Sequence, residues 1–157
     1  MLDLSKPYDA HINRRLRTEP VIWLCTSGRS GQPHMAPMWF LWDGSTITLF
    51  SLPSTRKLRD LAANSRVALA LEAADCGYDI VMLEGVAALI GDPRVTAMMP
   101  SFVAKYATVP RRWPPEEWAA KFTQAIRVTP ARFIGWMTRP GDTPQHKSLK
   151  LGSPEGL

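Results

Sequence analysis

Two apolar runs flanking Asp43-Gly44 constrain the fold more than any other stretch of the chain. Pro37 to Asn64 reads PMWFLWDGSTITLFSLPSTRKLRDLAAN. An Asp-Gly pair between such runs signals a hairpin, because both residues tolerate positive φ. A two-residue turn would set Trp42 opposite Ser45, Phe40 opposite Ile47 and Met38 opposite Leu49. Side chains alternate with a period of two, so Met38, Phe40, Trp42, Ile47 and Leu49 share one face, expected to be core. The other face carries Trp39, Leu41, Thr46, Thr48 and Phe50. Its mixture of aromatics and hydroxyls suits a surface covered by something other than water.

A helix should follow, with Ser54 as its N-cap and Leu58, Leu61 and Ala62 packing inward. Arg56 and Lys57 then fall in the first turn, where the helix dipole is positive. Cations there are unfavourable by roughly 0.3–1 kcal/mol each. A bound anion reverses that sign, since amides, hydroxyls and cations would all point at it. Ser51, Ser54, Thr55, Arg56 and Lys57 therefore read as a candidate phosphate cradle. The plainer alternative is a solvated helix start in which Asp60 pairs with Arg56 or Lys57.

The 157 residues fit one domain, 1–157, with residues 1–7 as a loose N-terminal arm and 138–157 as a C-terminal tail. Tyr8–Arg17 reads as a helix that Glu19-Pro20 stops. Val21–Thr26 is a strand apolar enough to be buried on both sides, and Arg66–Glu72 another buried strand. Gln32–Trp42 is a strand interrupted by Pro33 and Pro37. Asp79–Ile90 and Ala125–Met137 are long strands, with bulges expected at Gly85 and Pro130. Helices are expected at Arg94–Tyr106 and Pro115–Thr123, separated by a basic loop holding Arg111, Arg112 and Trp113. Consecutive strands joined by short turns predict a mainly β fold, an antiparallel sheet closed as a small barrel with helices inserted.

Composition removes several function classes. The net charge of +5 and pI near 9.6 favour an anionic partner, and arginine outnumbers lysine, which suits bidentate recognition of phosphate or carboxylate. The aromatics are not interleaved with basic residues on one strand face, so nucleic acid is not the expected partner. No membrane-length apolar run and no signal-peptide core are visible, so a cytoplasmic setting is expected. Cys25 and Cys76 lie in no metal or redox spacing, and His11, His34 and His146 form no metal motif. No nucleophile elbow or paired carboxylates stand out, so no residue is assigned as catalytic and no metal is expected. An enzyme built this way would need a cofactor to carry the hard chemistry.

The ordered series RLRTEPVIWLCT, GQPHMAPMWFLWDG, LFSLPSTRKLRDLAANSRVAL, YDIVMLEGVAALIGDP, KYA and IRVTPARFIGW runs from about Ile12 to Trp136. It resembles the pyridoxamine 5′-phosphate oxidase-like split β-barrel superfamily, whose members bind FMN or the deazaflavin coenzyme F420. The likeness is greatest to members classed as probable F420-dependent oxidoreductases. It implies a six-stranded antiparallel split barrel and a homodimer with a cofactor site at each end of the interface. Residues matching Pro37, Met38 and Trp39, and the segment Ser51, Leu52 and Pro53, would border the cofactor ring. Arg56 and Lys57, beside Thr55, would hold its phosphate, and Trp136 would approach the other subunit's site. Trp39 and Phe50 would face the ring or the dimer partner; for Trp39 and Trp136 a plain dimer contact is the alternative.

The implied activity is hydride transfer between F420 and a small organic substrate that the sequence does not identify. FMN in the same site, or cofactor binding without turnover, are the alternatives. Arg111 and Arg112, or Arg14, Arg15 and Arg17, are candidates to meet the oligoglutamate tail of F420. The pyridoxal-phosphate-binding residues of true pyridoxamine phosphate oxidases are not recognisable, which argues against that substrate.

Overall fold

The stretch 33–42 divides at Trp39 between two edges of one sheet, and this division organises the molecule. A computed structural model describes residues 2–91, 94–107, 114–137 and 147–150. In chain order the elements are α1 (Pro7–Thr18), β1 (Ile22–Ser27), β2 (Pro33–Met38), β3 (Phe40–Trp42), β4 (Ile47–Ser51), α2 (Arg56–Ala63), β5 (Arg66–Leu71), β6 (Asp79–Ile90), α3 (Arg94–Tyr106), α4 (Pro115–Lys121), β7 (Gln124–Met137) and β8 (Lys147–Lys150). The sheet order is β2-β1-β5-β6-β7-β4-β3, with β8 added on β7, and every pairing is antiparallel. β2 and β3 therefore lie at opposite ends of the ladder while only Trp39 separates them in the chain. The chain itself closes the barrel at that point, and the gap in hydrogen bonding is its split.

The six expected strands become eight among the described residues, for two reasons. The stretch 32–42 is two strands, and part of the expected tail forms β8 against Arg132–Gly135. The two expected bulges meet at one place. Glu84 pairs with Arg132 and Gly85 with Pro130, so Ala131 is the extra residue. Gly85 is required there, because a Cβ would overlap the Thr129 carbonyl.

The hairpin keeps its faces but not its register. Phe40 pairs with Leu49 and Trp42 with Ile47, two residues away from the expected alignment. The Asp43 carboxylate is the cause: Oδ1 accepts from the Ser45 and Thr46 amides at 2.7 and 2.6 Å, stabilising a four-residue loop in place of a two-residue turn. A shift of two leaves side-chain parity intact. Met38, Phe40, Trp42, Ile47 and Leu49 accordingly all lie in the main core.

The other hairpin face is covered by the chain's own helices. Leu41 and Phe50 form a second core with Phe102 and Tyr106 of α3, Trp118 of α4 and Ala125. Phe50, expected to face a ring or a partner, is buried here instead, and half-buried Trp39 packs partly against the same cluster. Phe50 lies 4.9 Å from Phe102 between ring centroids, and Trp39 stacks on Tyr106 at 4.5 Å.

α3 also seals the split. The Tyr106 hydroxyl accepts from the Phe40 amide at 2.8 Å and donates to the Pro20 carbonyl at 2.7 Å. Lys105 Nζ donates to the carbonyls of Phe40 and Leu16 at 3.1 and 3.3 Å and lies 3.5 Å from the Phe40 ring centre. These side chains satisfy the Phe40 amide and carbonyl at the start of β3 and tie them to the Leu16 and Pro20 carbonyls. Tyr106→Phe strands the buried Phe40 amide and should cost about 1–3 kcal/mol of stability. Urea denaturation reads this directly, and an unchanged midpoint and slope would show that the hydroxyl does not serve as the seal.

Other expectations are corrected by burial. β1 and β5 each bury one face, Ile22, Leu24 and Thr26 on one and Val67, Leu69 and Leu71 on the other. Ala62 is exposed rather than packed inward. The N-terminal arm is anchored, since Leu2 joins the main core and the Asp3 amide donates to Asp9 Oδ2 at 2.8 Å. Among the described residues, no helix is long and apolar enough to cross a membrane.

Candidate functional site

The start of α2 lies beside the end of β4, and that junction gathers the predicted cradle. Ser51 ends β4 buried, paired with Gln124 of β7. The chain then turns through exposed Leu52, Pro53 and Ser54, and Ser54 adopts φ +63°. That left-handed conformation displaces Ser54 from the expected capping position, so Thr55 is the N-cap. Thr55 makes no side-chain capping hydrogen bond. Its hydroxyl lies instead 3.1 Å from Ser51 Oγ.

The helix thus begins without a side-chain cap and without an acidic residue in its first turn. Lys57 reaches back to the same serine, Nζ to Oγ at 3.4 Å. It is half-buried, and that burial lowers its pKa. Among the described residues no carboxylate pairs with it, and the long contact to the Ser51 hydroxyl offsets the desolvation of its ammonium only in part. Arg56 is half-exposed and approaches Asp60 Oδ2 through Nε at 3.7 Å, so one arm of the plainer alternative is realised for Arg56 but not for Lys57. A helix N-terminus, two hydroxyls, a guanidinium and an ammonium with no carboxylate partner among the described residues, all within seven residues of chain, make a surface complementary to a phosphate.

The remaining predicted residues fall around this point differently. Pro37 is exposed opposite Trp23 on the outer sheet face, while Met38 is in the main core. Trp39 is half-buried against Tyr106 and Trp118. Trp136 pairs with Ile80 near the far end of β7 and donates Nε1 to the Gly77 carbonyl at 3.0 Å. Ser51 pairs at the opposite end of that strand, so at about 3.3 Å per residue Trp136 is well beyond reach of the cradle in the same chain. Arg15 is buried, donating to Glu19 and to the Glu72 and Asp79 carbonyls, and leaves the set of candidates for a cofactor tail. Arg111 and Arg112 lie outside the described residues. No cluster of three metal-ligating side chains occurs among the described residues.

Sequence reasoning missed the setting of Asp60. Thr26 of β1 donates Oγ1 to Asp60 Oδ2 at 3.0 Å, and His34 Nδ1 of β2 lies 3.9 Å from the same oxygen. The Arg56–Asp60 spacing was visible as i, i+4. The strand partners were not, because they depend on how α2 docks against β1.

An antiparallel sheet in this order, divided between β2 and β3 and covered by inserted helices, defines the class of small split β-barrels. Over residues 8–137 the chain matches the family described as pyridoxamine 5′-phosphate oxidase, and it belongs to that family. Among solved structures it is similar to an F420 reductase, at 28% identity and TM-score 0.60, over 76% of this chain and 94% of that one. It is also similar to a conserved hypothetical protein from Mycobacterium tuberculosis, at 24% identity and TM-score 0.71, over 94% and 93% of the two chains. The heme storage protein HutZ from Vibrio cholerae shares the fold at 12% identity and TM-score 0.63, over 77% and 88%. No curated protein matches the sequence.

Proposed function

We propose that the chain is an oxidoreductase that binds coenzyme F420 at the interface of a homodimer and transfers a hydride between it and a small organic substrate. The observation that carries this reading is the half-buried ammonium of Lys57 at an uncapped helix start, a charge arrangement that an anion relieves. When bound, the deazaflavin would supply the hydride chemistry. Arg56, Lys57, Thr55 and Ser51 would hold its phosphate, and exposed Pro37, Leu52 and Pro53 with half-buried Trp39 would flank the ring. Met38, whose side chain is in the main core, would border it only through its backbone. The protein's part is orientation and charge complementarity. The chain's net charge of +5 favours the oligoglutamate-bearing F420, and the similarity to an F420 reductase points the same way.

Homodimer formation is supported by the outer face of the sheet. Pro37, Trp23, Ala70 and Met82 form one cross-strand row there, and Met35, Cys25 and Ala68 most of the next. Met35 is 58% exposed, which is unusual for a large apolar side chain on a strand. Within one chain Trp136 is too far from the cradle to contribute, so a role there would require a second copy.

Titration of the purified protein with F420 and with FMN, alongside sedimentation analysis, tests the reading. Binding of F420 to a dimer in preference to FMN is the expected result. Preference for FMN would place the chain among flavin enzymes of the same fold. Binding of neither would remove the cofactor role.

A further inference from the structure

Asp60 is a buried carboxylate on which four parts of the fold converge. Thr26 Oγ1 of β1 donates to Oδ2 at 3.0 Å. His34 Nδ1 of β2 lies 3.9 Å from that oxygen, and Arg56 Nε of α2 at 3.7 Å. Gly28, in the β1–β2 turn, passes so close that a Cβ would sit 2.7 Å from Asp60 Oδ1. The Asp60 side chain is 12% exposed, against 48% for Arg56.

This asymmetry matters. One partner is seated in the fold and the other is at the surface. Asp60 stands one helical turn beyond Arg56, so the two share a flank of α2. The approach is through Nε, and the guanidinium fork carries further donors on its terminal nitrogens. An arginine has many rotamers, and ordering it opposes anion binding unless something holds it beforehand.

Resting on the cofactor reading above, we propose that Asp60 is a positioning residue: seated by Thr26, it holds the Nε edge of Arg56 so that the terminal nitrogens present to the cofactor phosphate. A rival effect has the opposite sign. Asp60 is also a negative charge near an anion site, and by Coulomb repulsion alone its neutralisation would tighten anion binding. The direction of change on neutralising Asp60 therefore separates positioning from simple charge.

The experiment is calorimetric titration of wild type, Asp60→Asn, Arg56→Ala and the double variant. The probes are F420 and FMN, each beside its phosphate-free counterpart (the deazaflavin alcohol and riboflavin). Asp60→Asn should weaken the phosphate-bearing ligand about 3–10-fold, the range for one side chain left to be ordered on binding. It should leave the phosphate-free ligand unchanged and cost nothing further on the Arg56→Ala background. Thr26→Val, which removes the seat but keeps the charge, should reproduce the loss, and Thr26→Ser should not. Thermal melts establish that each variant is folded, and the Thr26 pair carries the test if Asp60→Asn is not. Unchanged or tighter phosphate-ligand binding by Asp60→Asn, with Arg56→Ala still weakening it, would overturn the positioning role alone. No effect of Arg56→Ala would overturn the cradle and the positioning role together.

Discussion

Replacing Arg56 and Lys57 together with alanine is expected to weaken a phosphate-bearing cofactor by about 2–4 kcal/mol, roughly 30- to 1,000-fold. Hydrogen bonds to charged groups contribute about 1.5–3 kcal/mol each, and solvent screening places the half-exposed Arg56 at or below the low end. Lys57 should dominate, since it is half-buried with no carboxylate paired to it among the described residues. A phosphate-free analogue should lose almost nothing, because the ring contacts are untouched. The melting temperature should hold or rise, since the variant removes a partly desolvated cation from the wrong end of a helix dipole. Calorimetric titration of the two ligands against the double variant measures the difference. Equal loss for both would mean that the substitutions disturb the fold rather than a phosphate contact.

Stability should rise between pH 7 and pH 10.5, and Lys105 is the reason. Burial lowers its pKa from the ordinary 10.5 to about 7, with Glu19 acting weakly the other way. Between those values the unfolded chain holds a proton that the folded chain has released, so unfolding becomes less favourable as pH increases. Below pH 7 both states are protonated and the full cost of burying the ammonium is present. The gap corresponds to at most roughly 4–5 kcal/mol. Two carbonyl acceptors and the Phe40 ring favour the ammonium, which places the true gain below that ceiling. Lys105→Met should flatten this part of the pH profile. Urea midpoints of the two proteins at pH 6, 8 and 10 make the comparison, and parallel profiles would remove Lys105 as the cause.

What could be read from the sequence followed side-chain parity and charge. The core face of the hairpin survives a register error of two, because Phe40, Trp42, Ile47 and Leu49 keep their sides. The register itself depended on how many amides the Asp43 carboxylate could satisfy, a three-dimensional property. Cover for Trp39 and Phe50 came from α3 and α4, whose docking no local pattern encodes. The polar cluster at Ser51, Thr55 and Lys57 was legible because it spans seven residues of one strand-to-helix connection. Its cap was misassigned because Ser54 takes a left-handed conformation, which serine seldom adopts. Thr26 and Gly28, which enclose Asp60, are more than thirty residues away and become neighbours only once α2 lies on β1.

A crystal structure of the protein with bound F420 bears most directly on the central assignment. The phosphorus atom should lie at the first turn of α2, with Lys57 Nζ and the Arg56 guanidinium on its oxygens and Thr55 beside them. A phosphate resting on any other element, with Lys57 still turned only toward Ser51, would contradict it.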